Sequence, residues 1–294
     1  MLGQPVKIHL LMLVTKNLLN ALLITLLASQ AALAEPSPPR TSDGKPDFNG
    51  IWQTLDSHSN IEAHTAHASS ILQTGALGAT RAGLGAVIGG EIPYKPAARL
   101  QQQTNFATRH ELDPAVKCYL PGVPRANLMP YPVQIVQIPD HLFLAHEFAQ
   151  ASRTIYLDKP DFEAPVDAWM GHSRGHWEGD TLVVNVTDQV PDTWLDAAGN
   201  WHTASLKVEE RYTLLSAHHL RYRATLSDPE VYESTWSLEA ILYKNVDPKA
   251  QLLDFKCIEF VETLMYGHLS KREASQDTNL DTNLDTRQEI QNED

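Results

Sequence analysis

Cysteine and positive charge are both scarce in this sequence, and each shortage argues against a class of function. The chain has two cysteines in 294 residues, and nothing near them has metal-ligand spacing, so a cysteine-based metal site is not expected. Neither cysteine lies beside a plausible base, which disfavours a cysteine nucleophile. Lysine and arginine total 23 against 36 acidic residues, which gives a formal net charge of −13. Because an acidic protein repels phosphate backbones, nucleic acid is not expected as a partner.

The sequence also lacks an apolar run that would span a bilayer comfortably. Residues 18–28 are apolar, whereas a transmembrane helix needs about 20 such residues. Lys7 and Lys16 precede this run, and Ala32-Leu33-Ala34 has the small-x-small pattern of a cleavage site. Residues 1–34 are therefore predicted to be a secretory signal peptide, with a retained N-terminal membrane anchor as the alternative. We expect a periplasmic or secreted protein with no stable membrane span after signal removal.

The mature chain is predicted to be one domain with polar extensions. Residues 35–45 are rich in proline and serine and are expected to form a linker, and residues 46–269 a single domain. Residues 270–294 contain a tandem Asp-Thr-Asn-Leu repeat and few large apolar side chains, which predicts a disordered tail. An even pair of cysteines in an exported protein predicts a Cys118–Cys257 disulfide, with two buried free thiols as the alternative. The sequence does not predict the oligomeric state.

Short apolar strands separated by turns dominate the predicted domain. A turn is followed by a short strand that contains Trp52, and residues 57–90 form a long loop with a Gly/Ala-rich run in which phosphate binding is not favoured. A short helix is expected over 96–108, and a proline-dense extended segment over 113–132. Further strands are predicted at 133–138, 142–148, 152–157, 181–187, 205–214, 220–226, 232–243 and 255–261. This pattern is typical of an all-β antiparallel sandwich or barrel.

Five motifs carry a resemblance to a known family. They read PDFNGIW, DPAVKCYLPGVPR, HWEGDTLVVNVT, TWLDAAGNWH and KVEERYT. The sequence resembles a widespread family of exported bacterial proteins, usually labelled hypothetical, over nearly all of residues 43–262. The resemblance implies a lipocalin-like, calycin-type β-barrel and no particular activity. We expect the long N-terminal loop to pack over one mouth of this barrel, and a barrel of this size can hold one small ligand.

Strand alternation places one carboxylate among apolar side chains. In the strand predicted at 205–214, side chains alternate between the two faces of the sheet, so Glu210 shares a face with Val208 and Tyr212. A buried carboxylate is costly unless it is paired or hydrogen-bonded. Glu210 is therefore either an acid/base group with a raised pKa or half of a structural pair.

Two earlier strands and one loop offer partners for Glu210. His146 and Arg153 each share a strand face with apolar residues, so the three side chains could meet in one lumen. His202 ends the loop before the Glu210 strand and is our first candidate for a general acid/base, with Asp196 to orient it. The structural alternatives are a satisfied core histidine at position 146, and a surface His202 beside a turn-capping Asp196.

Tryptophan is concentrated in the same half of the chain. These rings are either ordinary core and rim residues or the lining of a pocket for a flat or apolar molecule. The candidate substrate-binding residues are Arg153, Trp177, Trp194, Trp201, Tyr212 and Trp236.

Metal binding has weaker support. His172 and His176 would share one face of a helix, but Gly171 and Gly175 argue against a helix there, so the spacing loses its usual meaning. The pair of histidines at 64 and 67 is weaker still. We assign no metal and no cofactor.

Three functions are compatible with these residues. The first is an exported barrel enzyme, a lyase, isomerase or hydrolase, that uses acid/base chemistry on a small, partly apolar molecule. In it, His202 moves the proton, Asp196 orients His202, Glu210 is the second acid/base group, and Arg153 stabilises negative charge. The second is a periplasmic binding or carrier protein for a hydrophobic small molecule. The third is a His/carboxylate metalloenzyme.

Overall fold

The structure, a computed structural model, describes residues 37–55, 59–62, 85–159 and 164–257. The predicted signal peptide, the predicted tail, His64, His67 and most of the Gly/Ala-rich loop lie outside these described residues. Among the described residues, no helix is long and apolar enough to cross a membrane.

Nine strands and three short α-helices make up the regular structure of the described residues. The strands are β1 (Gly50–Gln53), β2 (Val133–Ile138), β3 (His141–His146), β4 (Ser152–Leu157), β5 (His172–Glu178), β6 (Thr181–Thr187), β7 (Lys207–Leu214), β8 (His219–Ser227) and β9 (Trp236–Lys244). The helices are α1 (Pro96–Ala107), α2 (Arg109–Leu112) and α3 (Arg125–Leu128), and 3₁₀ turns span Pro114–Lys117 and Phe148–Gln150.

The strands close into one barrel, which confirms the predicted all-β class. Each strand from β2 to β9 pairs with its neighbours in sequence, and β1 completes the ring by pairing with both β2 and β9. Neighbouring strands are antiparallel except for β4 and β5, which are parallel, so the prediction of a wholly antiparallel barrel is wrong at this junction. Residues 158–171 connect these two strands, and parallel neighbours need a crossover connection of about a dozen residues or more.

The sequence did not predict strand β5, because the glycine and histidines of this segment are typical of a loop. Gly175 has a specific role in this strand. A Cβ atom at position 175 would lie 2.9 Å from Ile155 Cγ2 and 3.1 Å from Leu157 Cδ2 on β4. The absence of a side chain therefore lets β5 lie close against β4.

Two predicted strands at the C-terminal end also needed correction. Strand β9 begins at Trp236 rather than at residue 232, because the Tyr232 N–H donates to the Asp228 carbonyl in a turn. The described part of the strand predicted at 255–261, residues 255–257, is not a strand. The physical reason is that β9 already pairs with β1, which leaves no free sheet edge.

Inward-facing side chains from the strands form the core. In β7 and β8 every second residue is buried, as the alternation of side chains predicts. Apolar residues from nearly every strand join one buried cluster, and each fully buried leucine-sized side chain contributes about 1.5–3 kcal/mol. The polar side chains that face inward within this apolar setting include His146, Arg153 and Glu210.

Helix α3 packs against the lumen and is buried along its whole length. Arg125 on this helix donates two hydrogen bonds to the Asp113 carboxylate, each 2.7 Å long. Both side chains are nearly inaccessible, at 2% and 5% exposure. This buried pair fixes α3 so that Asn127, two residues further on, reaches the inward-facing side chains of β7.

The predicted disulfide is confirmed between Cys118 and Cys257. It fastens the extended segment after β9 to the segment that precedes α3. Near this bridge, the Phe255 ring packs against Phe148 and Tyr131, with ring centroids 4.9 Å and 5.4 Å away. The disulfide and these rings together hold the C-terminal segment beside the end of β3.

Candidate functional site in the barrel lumen

A buried ion pair crosses the lumen from β4 to β7. Arg153 Nη1 lies 2.7 Å from Glu210 Oε2, and Arg153 Nη2 lies 2.9 Å from Glu210 Oε1. The side chains are 3% and 0% exposed. Burial opposes the charge of the guanidinium, but the Glu210 carboxylate holds the pKa of Arg153 above its ordinary value. The two side chains meet, a contact that strand alternation allowed but did not establish, and their charges cancel.

Three more polar side chains surround Glu210. Its Oε1 atom accepts hydrogen bonds from Asn127 Nδ2 at 3.1 Å, from the Tyr212 hydroxyl at 3.0 Å and from the Tyr222 hydroxyl at 2.8 Å. The Tyr212 oxygen in turn accepts from Arg153 Nη2 and Asn127 Nδ2, both at 2.7 Å. Burial raises the pKa of both tyrosines well above the ordinary value, so their hydroxyls stay protonated.

His146 stands beside this network without bonding to it. Its ring is 3% exposed, and burial lowers the pKa of His146 to about 3, with the charge of Arg153 adding to the effect. The imidazole is therefore neutral at physiological pH. The Ala126 backbone lies close enough to favour the protonated ring, but no described group reaches either ring nitrogen with hydrogen-bond geometry. We call the whole group the lumen cluster: Asn127, His146, Arg153, Glu210, Tyr212 and Tyr222.

Four polar atoms of the lumen cluster have no hydrogen-bond partner among the described residues. They are Asn127 Oδ1, Arg153 Nε and both ring nitrogens of His146. Folded proteins pair nearly all of their buried polar atoms, and leaving one unpaired costs about 1–3 kcal/mol. Three adjoining elements, α3, β3 and β4, thus carry buried polar atoms without partners in the interior of the barrel.

His202 and Asp196 belong to a separate network outside the lumen cluster. His202 Nδ1 donates to the Thr203 carbonyl at 2.8 Å, and Nε2 lies 2.7 Å from Thr193 Oγ1. Burial lowers the pKa of His202, which favours the neutral imidazole. Both of its ring nitrogens are hydrogen-bonded within the protein. Asp196 accepts from Asn200 Nδ2 at 2.6 Å and from three backbone N–H groups, and burial raises its pKa. The described residues form no hydrogen bond between Asp196 and His202.

The predicted tryptophans lie at several places around the barrel. Trp177 packs against Phe48 at 5.4 Å between ring centroids, and Trp236 makes an edge contact with Tyr232 at 5.5 Å. Trp194 and Trp201 form a β-bridge with each other inside the loop before β7. The structure therefore gathers the predicted polar residues Arg153, Glu210, His146 and Tyr212, but distributes the tryptophans.

Ser173 and Asn127 were not predicted as site residues. Ser173 is buried on β5, and its Oγ lies 3.3 Å from Arg153 Nη1. Residues 171–175 read Gly-His-Ser-Arg-Gly, which fits the Gly-x-Ser-x-Gly pattern and was available as a signal. That pattern marks a nucleophile only on a sharp strand-to-helix turn, whereas Ser173 lies inside a strand. Asn127 had no comparable signal in the sequence.

The two described histidines that were considered for a metal site face away from the lumen. His172 and His176 occupy outward positions of β5, on the opposite side of the strand from Ser173. Among the described residues, no group of three or more His, Cys, Asp or Glu side chains could hold a metal ion.

Comparisons with known proteins assign this chain to no family. No family model matches it, and no curated protein is significantly similar to it. The resemblance carried by the five sequence motifs remains a prediction, and the function is argued from the lumen cluster.

Proposed function

We propose that the protein is an exported barrel that binds one small, partly apolar molecule through the lumen cluster. The observation that carries the proposal is the set of four unpaired polar atoms on Asn127, His146 and Arg153. A polar group of a ligand would supply the missing hydrogen bonds, and the surrounding apolar residues would pack against the rest of the molecule.

The unpaired atoms also define the chemistry of the ligand's polar group. Asn127 Oδ1 accepts a hydrogen bond, Arg153 Nε donates one, and a neutral His146 ring does both. Glu210 already neutralises Arg153, and His146 is uncharged. The cluster therefore favours a neutral group with both donor and acceptor, such as a carboxamide or a hydroxyl beside a carbonyl, over an ion.

Export is part of the same proposal. The N-terminal segment has the pattern of a secretory signal, and disulfides such as Cys118–Cys257 persist in oxidising compartments. Both features support a periplasmic or secreted location.

A second candidate function, an acid/base lyase, isomerase or hydrolase, is favoured by one specific observation. His146 and Arg153 are diagonal neighbours on the inward face of the β3–β4 ladder, so in this candidate the neutral imidazole would accept a proton while the guanidinium stabilises developing negative charge. In this candidate His146 takes the proton-transfer role first predicted for His202, because both ring nitrogens of His202 are bonded within the protein.

The test is to recover the ligand from the lumen cluster. Protein purified from the periplasm with its disulfide intact is extracted with organic solvent, and the released small molecules are identified by mass spectrometry. Asn127→Leu and His146→Leu should lose the molecule, whereas His110→Leu, which alters an exposed ring on α2, should retain it. The recovered compound, added back, should raise the Tm of the wild type but not of the two lumen variants.

The outcomes separate the two candidates. Recovery of an unchanged neutral amide or hydroxycarbonyl compound supports binding, and conversion of the added compound into a product supports the enzyme. If the lumen variants retain the same compound as the wild type, the lumen cluster is not the binding site and the proposal fails.

A further inference from the structure

The outer surface of the barrel carries a charge that is opposite in sign to the whole chain. Outward positions on β5 and β7–β9 hold five cations and three anions, although the chain has a net charge of −13. The cations are Arg174, Lys207, Arg211, Arg221 and Arg223, and the anions are Glu178, Glu209 and Glu239.

This surface is concave. Two adjoining cavities of about 370 Å³ and 430 Å³ lie on it, and they share Glu209 and Thr225 as walls. Their volumes are in the range of small-ligand sites. The second cavity contains Arg211, Arg221 and Arg223, and we call it the arginine groove.

Arginine is in excess over carboxylate inside the arginine groove. Arg211 contacts both Glu178 and Glu209. Within the described part of the chain, by contrast, neither Arg221 nor Arg223 forms an ion pair. Glu178 and Glu209 thus both contact Arg211, whereas Glu239, which lies opposite Arg223 in the β8–β9 ladder, forms no ion pair with it among the described residues.

The strand register adds an unfavourable contact. Arg211 and Arg223 are directly opposite each other in the β7–β8 ladder, and like charges in this position destabilise a sheet. A bound anion between them would convert this repulsion into two attractive interactions.

Hydroxyl groups complete the floor of the groove. Thr213 bonds to Thr181 at 3.0 Å, and Thr225 bonds to Ser237 at 3.0 Å. Each pair uses one hydroxyl hydrogen for its mutual bond and leaves the other. Both residues of the Thr181–Thr213 pair line the groove, so the remaining hydrogen of that pair can donate to a ligand there.

We propose that the arginine groove is a second binding site, specific for small anions that carry carboxylate or phosphate groups. Arg221 and Arg223 bind the anion, Arg211 supplies further positive charge, and the threonine hydroxyls donate hydrogen bonds. The site lies on the outer face of the barrel and does not depend on the function proposed for the lumen.

Calorimetric titration with inorganic phosphate, and separately with succinate, at low ionic strength tests this site. Arg221→Gln and Arg223→Gln should each weaken binding by about tenfold or more, the loss expected for a charge-assisted hydrogen bond. Lys249→Gln removes the same charge from an exposed residue outside the groove and should leave the affinity unchanged. Both arginines are exposed, so the variants are expected to fold, which circular dichroism checks.

A charge change in the opposite direction provides an independent measurement. Glu239 lies opposite Arg223 in the β8–β9 ladder and lines the groove, so Glu239→Gln should tighten binding several-fold. Tighter binding of phosphate than succinate identifies the site as a phosphate site, and the reverse order identifies it as a carboxylate site. Absence of saturable binding of both anions at millimolar concentration, or equal weakening by Lys249→Gln, overturns the proposal.

Discussion

Replacing His146 by leucine should stabilise the ligand-free protein at neutral pH. The two side chains have similar volumes, and the substitution removes two buried ring nitrogens that lack hydrogen-bond partners. Because a buried unpaired polar atom costs about 1–3 kcal/mol, we expect the free energy of unfolding at pH 7 to rise by roughly that amount. If His146 served only to stabilise the fold, replacing it by leucine would instead lower the free energy of unfolding.

The same substitution should also change the acid dependence of stability. The pKa of His146 falls from 6.5 to about 3 in the folded protein, so between these pH values the unfolded chain binds the additional proton. The free energy of unfolding therefore decreases as the pH falls from about 6.5 to 3. One pKa unit corresponds to about 1.4 kcal/mol, so the decrease attributable to His146 is on the order of 4–5 kcal/mol. His146→Leu should remove this component.

Urea unfolding of ligand-free wild type and His146→Leu, measured between pH 7 and pH 4, tests both expectations. The difference in stability between the two proteins should grow as the pH falls, because other titrating groups are common to both. A variant that is less stable than the wild type at pH 7 and shows a parallel pH dependence would refute the reasoning about His146.

Three further substitutions test the forces that hold the barrel. Glu210→Gln should reduce the free energy of unfolding by about 3–5 kcal/mol because it leaves Arg153 buried without its counter-charge, and exchanging both residues for methionine should restore most of the loss in the same urea assay. Replacing Cys118 and Cys257 by serine should lower the free energy of unfolding by about 2–5 kcal/mol, towards the upper end because the bridge spans 139 residues. Thermal unfolding with and without reductant checks this, and a Tm of the serine variant equal to that of the oxidised wild type would contradict it. Gly175→Val should cost about 1–3 kcal/mol through overpacking against β4, and an unchanged Tm would contradict it.

The period-two pattern of the strands was sufficient to predict the central part of the lumen cluster. Because alternate side chains of a strand face the same way, the sequence placed Glu210 on an inward face, and His146 and Arg153 on apolar strand faces that could also be inward. The register of β3 with β4 and of β6 with β7 then determines which of them meet. That register depends on pairing between distant segments, so the sequence predicted candidates but not their contacts.

The loop residues could not be placed in the same way. His202 and Asp196 are close in sequence, but their hydrogen bonds lead to Thr203 and Asn200 rather than to each other. Asn127 lies in a four-residue helix within a proline-dense segment, which has no periodicity to indicate its direction. In both cases tertiary packing decides the orientation of the side chain, and a local pattern does not report it.

The barrel depends for its closure on its shortest strand. Strand β1 has only four residues, compared with nine in each of β8 and β9, yet it alone joins β2 to β9. Separating β1 from its two neighbours breaks fewer backbone hydrogen bonds than separating β7 from β8. Because β1 pairs with β2 through three residue pairs and with β9 through two, compared with eight between β7 and β8, amide hydrogen exchange should be faster at residues 50–53 than in the centre of β7 and β8.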